Sequence, residues 1–465
     1  MNLIAGRSPI GAEQTPPGSP HESAHARDDR DRWVRVRFAV SIALAALWVL
    51  FSIWLSLPWL ADLGSLTHPI AALLVLTFIA YVPGFMNAFL LCSLVFRPDP
   101  RRVVPLEWPA ITLLIAAYQE EELIGATLNS IAQLDYRGDL EVVVLDDGST
   151  DGTAAAVLAC EPLFAGLPGR VLRLITGNAN AGKAQVLNRG LQLAAHQLVV
   201  TIDADTLLQK DSLTALVERL EGSPAGTVAV AGAVLVGNHD ATWLTRAQQW
   251  DYFHGIAAVK RMQGMYQGTL VAQGAFSIYR KDAVLEVGGW PDTVGEDIVV
   301  TWSLLRRGYK INYAEDAIAW THAPEKLGEL ARQRKRWARG MIEALAIHKP
   351  LLVQPRLRTM FIWWNLLFVS IDLAFTFIFI PGLVLAILGI FWLAGPITLL
   401  VLPVAALWNL VIYRIQTRML KRLSIDMKRS GIGFVLYALI YPLLMQPVSV
   451  WGYFAEFVGG RKQWN

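Results

Sequence analysis

Long apolar segments lie on both sides of a more polar middle region, and this arrangement constrains the fold more than any other feature. Hydrophobic stretches cover about residues 38–60 and 69–96, and the chain becomes apolar again beyond residue 360. Each of the first two exceeds the roughly 20 apolar residues that a helix needs to cross a bilayer. Hydrophobic residues make up 54% of the chain and charged residues only 17%, as expected when much of a protein contacts lipid. The sequence therefore predicts an integral membrane protein.

Basic residues indicate which ends of the predicted spans face the cytoplasm. Arginines flank the outer ends of the first two spans, while the loop between them carries Asp62 but no Lys or Arg. By the positive-inside rule, residues 33–97 form a hairpin with both ends in the cytoplasm. A basic cluster after residue 413 then favours two crossings in 361–413 and one in 431–458, within a carboxyl-terminal membrane region that starts at residue 346. We expect a multi-pass protein of the inner (plasma) membrane with five spans and a cytoplasmic middle region.

The amino-terminal segment differs from the rest of the chain. Residues 1–32 are rich in Pro, Gly, Ser and charge and have no apolar periodicity, which predicts a disordered cytoplasmic tail. A cleavable signal peptide is not expected, because the apolar run starts late and is not followed by a small-residue cleavage site.

Charge and cysteine content exclude two other classes. The formal net charge is only +3, and the basic residues gather near the apolar segments, so nucleic acid is not an expected partner. Cys92 and Cys160 are the only cysteines and have no metal-ligand spacing around them. A disulfide or zinc scaffold is therefore not expected.

The middle region, residues 98–345, alternates short apolar runs with helical patterns. The runs are AITLLIAAY, LEVVVLDDG, RVLRLIT, QLVVTIDAD and TVAVAGAVLV. Strands rich in Val, Ile and Leu without strict alternation are typical of a parallel sheet that helices cover on both faces. The region is predicted to be an α/β domain with a nucleotide-binding layout.

Two pairs of aspartates follow apolar runs. Asp146 and Asp147 stand at the carboxyl end of a predicted strand, where open α/β sheets bind ligands, although a turn capped by Ser149 or Asp151 explains the same pattern. Asp203 and Asp205 stand two residues apart on a strand, so they point the same way and repel each other unless a cation lies between them. Mg²⁺ or Mn²⁺ suits such a pair and would bridge to nucleotide phosphates. A turn with a capping side chain is an alternative explanation for this pair as well.

Three further motifs are each weak evidence for a functional site when taken singly. In NANAGKAQVLNRG, Gly182 would let the backbone approach a phosphate and Lys183 would supply charge. In VGEDIVVTW, the exposed-looking pair Glu296 and Asp297 opens a helical stretch, either to complement the helix dipole or to provide a general base. The segment QRKRW, with Arg332 and Arg339 beside it, is either a cytoplasmic flank of the next span or part of a site.

The order of these motifs carries more information than any one of them. AAYQEEELIGATLNSI, DDGSTDGT, AGKAQVLN, DAD, GED and QRKRW follow one another over roughly residues 110–345, with apolar spans on both sides. In this order they resemble the membrane-bound processive β-glycosyltransferases of glycosyltransferase family 2, such as cellulose, chitin, hyaluronan and poly-β-1,6-N-acetylglucosamine synthases. The resemblance implies a GT-A domain, a nucleotide-sugar-binding mixed sheet, combined with an α-helical transmembrane region.

The resemblance also implies roles for the donor side of the site. Asp146 or Asp147 would hold the uridine of a UDP-sugar, with Glu120 near the uracil. Asp203 and Asp205 match the DxD element of the family, which handles the diphosphate and a divalent metal.

On the acceptor side, Asp297 matches the general base of the family and follows Glu296. Gln333, Arg336 and Trp337 match the Q-x-x-R-W signature, in which Trp stacks on the acceptor sugar and Arg meets the leaving diphosphate. A guanidinium that binds two phosphate oxygens and an aromatic face beside a pyranose suit these tasks. The alternative that a charged side chain faces only lipid stays open for Arg332, Arg334 and Lys335.

The chain departs from the family pattern at three positions. Ala116 and Gln119 stand where many relatives have Pro and Asn, a change that bears on the uracil contact but removes no acid or base. Gly295 stands where the family has Thr before the Glu-Asp pair, so a hydroxyl near the acceptor is missing.

The expected reaction is inverting transfer from a UDP-α-sugar, with UDP-N-acetylglucosamine as the best candidate, to a growing β-linked polysaccharide that leaves through the membrane. The stretch around Lys260, Arg261 and Tyr266 looks more like the poly-N-acetylglucosamine synthase branch than like cellulose synthase. His254 in the same stretch is either an acceptor contact or a packed side chain. Single transfer to a membrane lipid is the alternative within enzymes, and a non-enzymatic transporter or scaffold is the competing class. Other expected partners are membrane lipids and accessory export or regulatory subunits.

Overall fold

The computed structural model describes residues 24–97, 102–354, 356–393, 396–422 and 430–459. Its helices are, in chain order, α1 (Ala24–Leu66), α2 (Pro69–Leu76), α3 (Val82–Val95), α4 (Ile124–Ala132), α5 (Thr153–Leu158), α6 (Glu161–Ala165), α7 (Lys183–Leu193), α8 (Ser212–Glu221), α9 (Trp243–Trp250), α10 (Ala258–Met265), α11 (Lys281–Glu286), α12 (Glu296–Arg307), α13 (Leu327–Ile347), α14 (Met360–Ala374), α15 (Ile380–Ile387), α16 (Pro396–Arg422), α17 (Gly431–Val435) and α18 (Tyr441–Phe457).

Four helical segments within the described residues are long and apolar enough to cross a membrane. They are Arg32–Leu66, Pro69–Val95, Met360–Ile387 and Gly431–Phe457. Three of them continue through π-helical turns, which join α2 to α3, α14 to α15 and α17 to α18. Helix α16, 27 residues long, lies where the remaining crossing is predicted. The number of crossings and the side that the α/β domain faces stay predictions.

The amino-terminal boundary differs from the sequence-based expectation. Helix α1 begins at Ala24, so the last nine residues of the predicted tail, 24–32, are helical. Good helix formers among Ala24–Arg32 let the first span extend outward as one helix. Residues 1–23 lie outside the described part of the chain.

The middle region forms one mixed sheet of eight strands. The strands are β1 (Ile111–Ala117), β2 (Leu140–Asp146), β3 (Arg170–Thr176), β4 (Leu198–Asp203), β5 (Leu207–Leu208), β6 (Thr227–Val236), β7 (Phe276–Arg280) and β8 (Lys310–Thr321). Their order is β3-β2-β1-β4-β7-β6-β8-β5. The four adjacent strands β3, β2, β1 and β4 run parallel to one another, and β7 is antiparallel to β4 and to β6. The predicted α/β fold is confirmed.

Both faces of the central strands are buried, as their unbroken apolar runs predict. Leu114 and Val143 pack on one face with side chains of α7. Leu113 and Val142, their neighbours in sequence, pack on the other face with side chains of α4 and α8. Because successive side chains of a strand point to opposite faces, a run without polar alternation needs cover on both sides, and the helices supply it.

A buried ion network connects the α/β domain to helices of the membrane region. Arg97, just past α3, contacts Glu315 on β8, and Arg261 Nε on α10 donates to the same carboxylate at 2.7 Å. Arg261 also contacts Gln416 on α16. Burial alone would raise the pKa of Glu315, but the surrounding guanidinium groups outweigh burial and lower the pKa to about 2. One carboxylate thus links three parts of the chain.

Replacing Glu315 by Gln should destabilise the protein, because Arg97 and Arg261 would stay buried without the carboxylate that they share. Loss of one partner of a buried ion pair costs about 3–5 kcal/mol. We expect a clearly lower melting temperature in neutral detergent. Glu329→Gln is the matched control, since the pair that Glu329 forms with Lys326 is exposed and 3.7 Å long. Equal melting temperatures for the two variants would contradict the role given to Glu315.

Candidate active site

The loops after three neighbouring strands meet at one edge of the sheet. Strand pairing places Asp146 opposite Ala117 and Asp203 opposite Ala116, so the two aspartates flank the end of β1. The carboxyl ends of parallel strands are where open α/β sheets bind ligands. The structure therefore brings together the two aspartate motifs that the sequence separates by almost sixty residues.

The loop after β1 is tied to the loop after β2. The backbone N–H of Gln119 donates to Ser149 Oγ at 3.0 Å, and that of Glu120 donates to Thr153 Oγ1 at 2.8 Å. Gln119 has φ of 59°, in the left-handed region that Asn adopts more easily than Gln. Its side chain donates to Thr150 Oγ1 at 2.8 Å, which helps to hold this backbone in place. The departure from the family's Asn thus falls on a residue with an unusual backbone conformation.

Asp146 and Asp147 both accept hydrogen bonds from the backbone. Asp146 Oδ1 accepts from Ser149 N–H at 3.0 Å. The two oxygens of Asp147 accept from the N–H groups of Ala181 and Gly182, each at 2.8 Å. Asp147 therefore positions the loop that precedes Lys183, and a contact of either aspartate with uridine stays a prediction.

Lys183, the first residue of α7, lies among carboxylates. Its Nζ contacts Asp203 Oδ1 and lies 3.7 Å from Glu296 Oε1. Burial would lower the pKa of Lys183, but Asp203 and Glu296 outweigh burial and raise it. A Cβ atom at position 274 would lie 2.8 Å from this Nζ, so Gly274 leaves the room that the ammonium occupies. Lys183 is therefore held charged inside the site.

The remaining carboxylates carry more negative charge than Lys183 compensates. Burial and Asp203 raise the pKa of Asp205 to about 6, although Lys183 opposes the shift. Burial, Asp205 and Asp203 raise the pKa of Glu120 to about 7. Carboxylates that raise one another's pKa in this way are stabilised when a cation binds between them.

The donor atoms fit a divalent cation only if a ligand completes the site. Among the described residues, no group of three or more His, Cys, Asp or Glu side chains is arranged to hold a metal ion. Asp203 and Asp205 offer hard oxygen ligands, and Mg²⁺ is usually held by one or two carboxylates together with substrate phosphates. The pair is therefore compatible with a dication that a nucleotide diphosphate also binds.

Glu296 and Asp297 occupy the first turn of α12, where acidic side chains complement the helix dipole. The sequence-based expectation of an exposed pair is wrong for Glu296, which is 5% exposed. Burial is possible because Lys183 lies beside it; burial still raises the pKa of Glu296 to about 7. Asp297 is only partly buried, and its Oδ1 accepts from the N–H of Ile298 at 2.7 Å.

Two glycines bring α13 close to this turn. A Cβ atom at position 295 would lie 2.8 Å from Gly340 Cα, and one at position 340 would lie 2.8 Å from Gly295 Cα. A Cβ atom added at this distance would displace the backbone that it meets. The missing Thr at 295 therefore has a physical reason, because this chain uses the space for backbone contact with α13.

The QRKRW segment lies in α13, and the structure gives Arg334 a specific environment. Its Nη2 donates to Asp251 Oδ2 at 2.6 Å, and its Cζ lies 4.3 Å from the centroid of the Trp337 ring. Tyr441 at the start of α18 donates to the same Asp251 oxygen at 3.2 Å. The interpretation of Arg334 as a charge facing only lipid is wrong, because Asp251 pairs with it inside the protein. Asp251 and Tyr441 could not be singled out from the sequence, since neither belongs to a recognisable motif.

The other residues of the QRKRW segment lie near the ion pair of Arg334 with Asp251. Trp337 is 40% exposed, although it contacts the Arg334 guanidinium, and Arg336 is partly buried. Gln333 Oε1 is buried and accepts no hydrogen bond from the described residues. Lys335 Nζ lies 5.5 Å from the ring of Trp451 on α18. The segment thus presents one open aromatic ring and one unsatisfied amide oxygen.

Two residues singled out in the preceding stretch are also buried. His254 is 4% exposed, and its Nε2 lies 3.2 Å from the carbonyl oxygen of Asn409, which matches the packed alternative. Lys260 contacts Gln273, and burial lowers the pKa of Lys260 to about 7 although Asp297 opposes the shift.

Adding a side chain at position 295 should displace α13 from α12. We expect Gly295→Thr to lower the catalytic rate about 10²-fold, because a shift of about 1 Å in positioning groups has that effect. The matched control is Gly328→Ala on α13, where an added Cβ meets only Arg332 Nη1 at 3.9 Å. Turnover of purified variants is the measurement. Full turnover by Gly295→Thr would contradict the close helix contact.

Comparison with known proteins agrees with this geometry. A family model described as glycosyltransferase like family 2 matches residues 109–340. Over 240 residues the chain is 34% identical to a poly-beta-1,6-N-acetyl-D-glucosamine synthase of Staphylococcus aureus (strain COL). This alignment covers 51% of this chain and 56% of that protein. The chain is 30% identical over 282 residues to the protein of the same name from Staphylococcus epidermidis, covering 58% and 66%. The match thus spans little more than half the length of the first relative.

A solved structure shows the same fold. The mannosyltransferase PcManGT from Pyrobaculum calidifontis, determined with GDP-Man and Mn2+, aligns with a TM-score of 0.56 and 21% identity over 86% of this chain and 99% of that one. The expected GT-A domain joined to membrane helices is confirmed as a fold. Through its residues 109–340, the chain belongs to glycosyltransferase-like family 2.

Proposed function

We propose that the protein transfers N-acetylglucosamine from UDP-N-acetylglucosamine to a growing β-linked polysaccharide. One observation carries the proposal: Lys183, Asp203 and Glu296 meet at the ends of the parallel strands, with Asp297 next to them. The sugar is inferred from the two curated relatives, whose names specify poly-β-1,6-N-acetylglucosamine synthesis. Family membership supports glycosyl transfer, and the membrane helices support delivery of the product across the bilayer.

The donor would bind at the edge of the sheet where β1, β2 and β4 end. Asp203 and Asp205 would hold Mg²⁺ or Mn²⁺, and Lys183 lies beside them to meet a phosphate oxygen. When bound, the dication supplies positive charge that offsets the diphosphate and the developing charge of the leaving group. Asp146 or Asp147, together with Glu120, would contact the uridine.

Asp297 is the proposed general base. It is partly buried, lies at the amino end of α12 and accepts at Oδ1 from the N–H of Ile298, so the carboxylate is held in one orientation. It would accept the proton of the acceptor hydroxyl as that oxygen attacks the anomeric carbon from the side opposite UDP. Attack from that side inverts the α-linked donor to a β-linked product. Arg336 would stabilise the negative charge that develops on UDP.

The acceptor would lie against Trp337. Its ring is partly exposed, and Arg334 contacts the ring at 4.3 Å while paired with Asp251. Helix α13 packs along α18, and a Cβ at Gly452 would lie 2.7 Å from Ala338 Cβ, so the two helices are in close contact. A polymer that ends at Trp337 therefore has membrane helices directly beside it. Accessory subunits for export or regulation remain part of the proposal.

The proposal is tested with the purified full chain in liposomes. Radiolabelled UDP-N-acetylglucosamine, UDP-glucose, UDP-galactose and GDP-mannose are supplied separately with Mg²⁺ or Mn²⁺, and the products are sized by gel. We expect polymer from UDP-N-acetylglucosamine only, and none in excess EDTA. A single labelled sugar in the lipid extract would replace polymerisation by transfer to a lipid. Absence of transfer from all four donors would overturn the proposal.

Asp297→Asn should separate catalysis from donor binding. Asn keeps the size of the side chain but cannot accept the proton, so we expect kcat to fall by about 10²–10⁴, the usual contribution of general base catalysis. UDP affinity, measured by calorimetry, should stay within about twofold because Asp297 is not a proposed donor ligand. A joint loss of UDP affinity and turnover would instead make Asp297 a nucleotide-binding or structural residue.

Trp337→Ala should impair elongation more than hydrolysis of the donor, since water needs no aromatic surface. Phe at this position should keep part of the polymerising activity, because aromatic contacts contribute about 0.5–1.5 kcal/mol beyond the buried area. Polymer length and UDP release per inserted molecule are the measurements. Trp243→Ala, at a tryptophan that is 48% exposed on α9, controls for loss of an exposed ring. Normal polymer from Trp337→Ala would contradict the proposed acceptor contact.

A further inference from the structure

Lys260 on α10 is a buried lysine without an ion pair within the described residues. It is 7% exposed, and its Nζ contacts Gln273 Oε1, while Gln273 Nε2 donates to the carbonyl oxygen of Gly232 at 2.9 Å. No carboxylate of the described chain lies within ion-pair distance of this ammonium group. Burying a charged ammonium group is costly unless an opposite charge or several hydrogen bonds compensate the loss of water. One amide oxygen supplies only part of that compensation, so other charges decide whether Lys260 is an ammonium group.

Both sequence neighbours of this glutamine contact the proposed active site. The N–H of Ala272 donates to Thr301 Oγ1 at 3.0 Å, and that hydroxyl donates to the carbonyl oxygen of Asp297 at 2.6 Å. On the other side, a Cβ atom at Gly274 would lie 2.8 Å from Nζ of Lys183. The segment that holds the buried ammonium group therefore contacts both α12 and the first residue of α7.

Asp297 supplies an opposite charge. Burial lowers the pKa of Lys260 to about 7, and Asp297 opposes that shift. In the folded protein Lys260 is therefore mainly an ammonium group below pH 7 and mainly a neutral amine above it. Because the attraction between two charges acts on both partners, the ammonium form of Lys260 favours the carboxylate form of Asp297 in return.

Other titratable groups around the pair have partners of their own. Asp297 also acts on three groups of the site, which are Lys183, Glu296 and Tyr279. Helix α10 packs against α3, β8 and the π-helical turn Asp251–Ala257. The acidic side chains of these elements are each paired with an arginine, Glu315 with Arg97, Asp316 with Arg219 and Asp251 with Arg334. Burial lowers the pKa of His254 in the turn to about 4, so this ring is neutral.

We propose that Lys260 is a positioning residue for the proposed general base. Its ammonium group, held by Gln273 on the segment that contacts α12, supplies the positive charge that keeps Asp297 a carboxylate when the acceptor hydroxyl arrives. The acceptor proton still goes to Asp297, and Lys260 touches none of the reacting atoms. This inference rests on the proposed function through the role given there to Asp297.

The pairing is tested first without turnover, by a double-mutant cycle in melting temperature. The four proteins are the unmodified chain, Lys260→Met, Asp297→Asn and the variant with both changes, each in neutral detergent. At pH 6, Asp297→Asn should lower the melting temperature by about 2 °C more when Lys260 is present, because the ammonium group then loses its opposite charge. At pH 9 this difference should vanish, since Lys260 is neutral there. Equal effects of Asp297→Asn in both backgrounds at pH 6 would overturn the proposal.

The pH dependence of turnover then tests the effect on the base. Turnover of UDP-N-acetylglucosamine is measured in liposomes for the unmodified chain, Lys260→Met and Lys281→Met. In Lys260→Met, the pH at which kcat falls to half on the acid side should rise by about one unit, because no ammonium group opposes protonation of the base. The loss should shrink toward pH 9, where Lys260 of the unmodified protein is also neutral. Lys281→Met is the matched control and should leave the profile unshifted, since the Nζ of this partly buried lysine donates to the carbonyl oxygen of Ala194 at 2.7 Å.

The shape of the pH profile separates charge from packing. A role of Lys260 in packing alone would lower kcat by the same factor at every pH, and that result would overturn the proposal. Lys260→Gln, which is also neutral, should give the same shift and serves as the test protein if the Met variant does not fold. Absence of transfer by the unmodified protein would reject the proposed function, whereas normal transfer with an unshifted profile in the variant would reject only the role given to Lys260.

Discussion

The contact of Lys183 with Asp203 and Glu296 is the interaction on which the rest of the site depends. It joins the start of α7, the end of β4 and the first turn of α12, which come from distant parts of the chain. Burying Glu296 without a cation nearby would be costly, because a buried carboxylate needs a partner or a proton. Since Lys183 supplies that partner, acidic groups can gather at one edge of the sheet, where the proposed divalent cation would offset the negative charge that Lys183 leaves.

A second set of contacts ties this edge to the membrane region. Gly295 and Gly340 allow α12 and α13 to touch through their backbones. Asp251 then pairs with Arg334 on α13 and accepts from Tyr441 on α18. Because Gly340 and Arg334 both lie on α13, and Asp251 joins Arg334 to Tyr441, the position of Trp337 is coupled both to the proposed base and to a helix that is apolar enough to cross a bilayer.

The fold could be predicted from sequence because it depends on local patterns: unbroken apolar runs for strands covered on both faces, and long apolar segments for membrane helices. The motif order led to the family for the same reason. The environments of Glu296 and Arg334 could not be predicted, since each depends on a residue far away in the chain, Lys183 in one case and Asp251 in the other. The reason for glycine at 295 likewise appears only when Gly340 is seen beside it.

The affinity of a Lys183→Met variant for UDP is the critical measurement for the placement of the donor site. Calorimetry on the purified protein with Mn²⁺ present should show at least about a tenfold loss of affinity, because Met fills similar space but carries no charge to meet a phosphate. Lys210→Met, at an exposed lysine before α8, should bind UDP as the unmodified protein does. Unchanged UDP affinity in a folded Lys183→Met protein would contradict the placement of the donor site at this edge of the sheet.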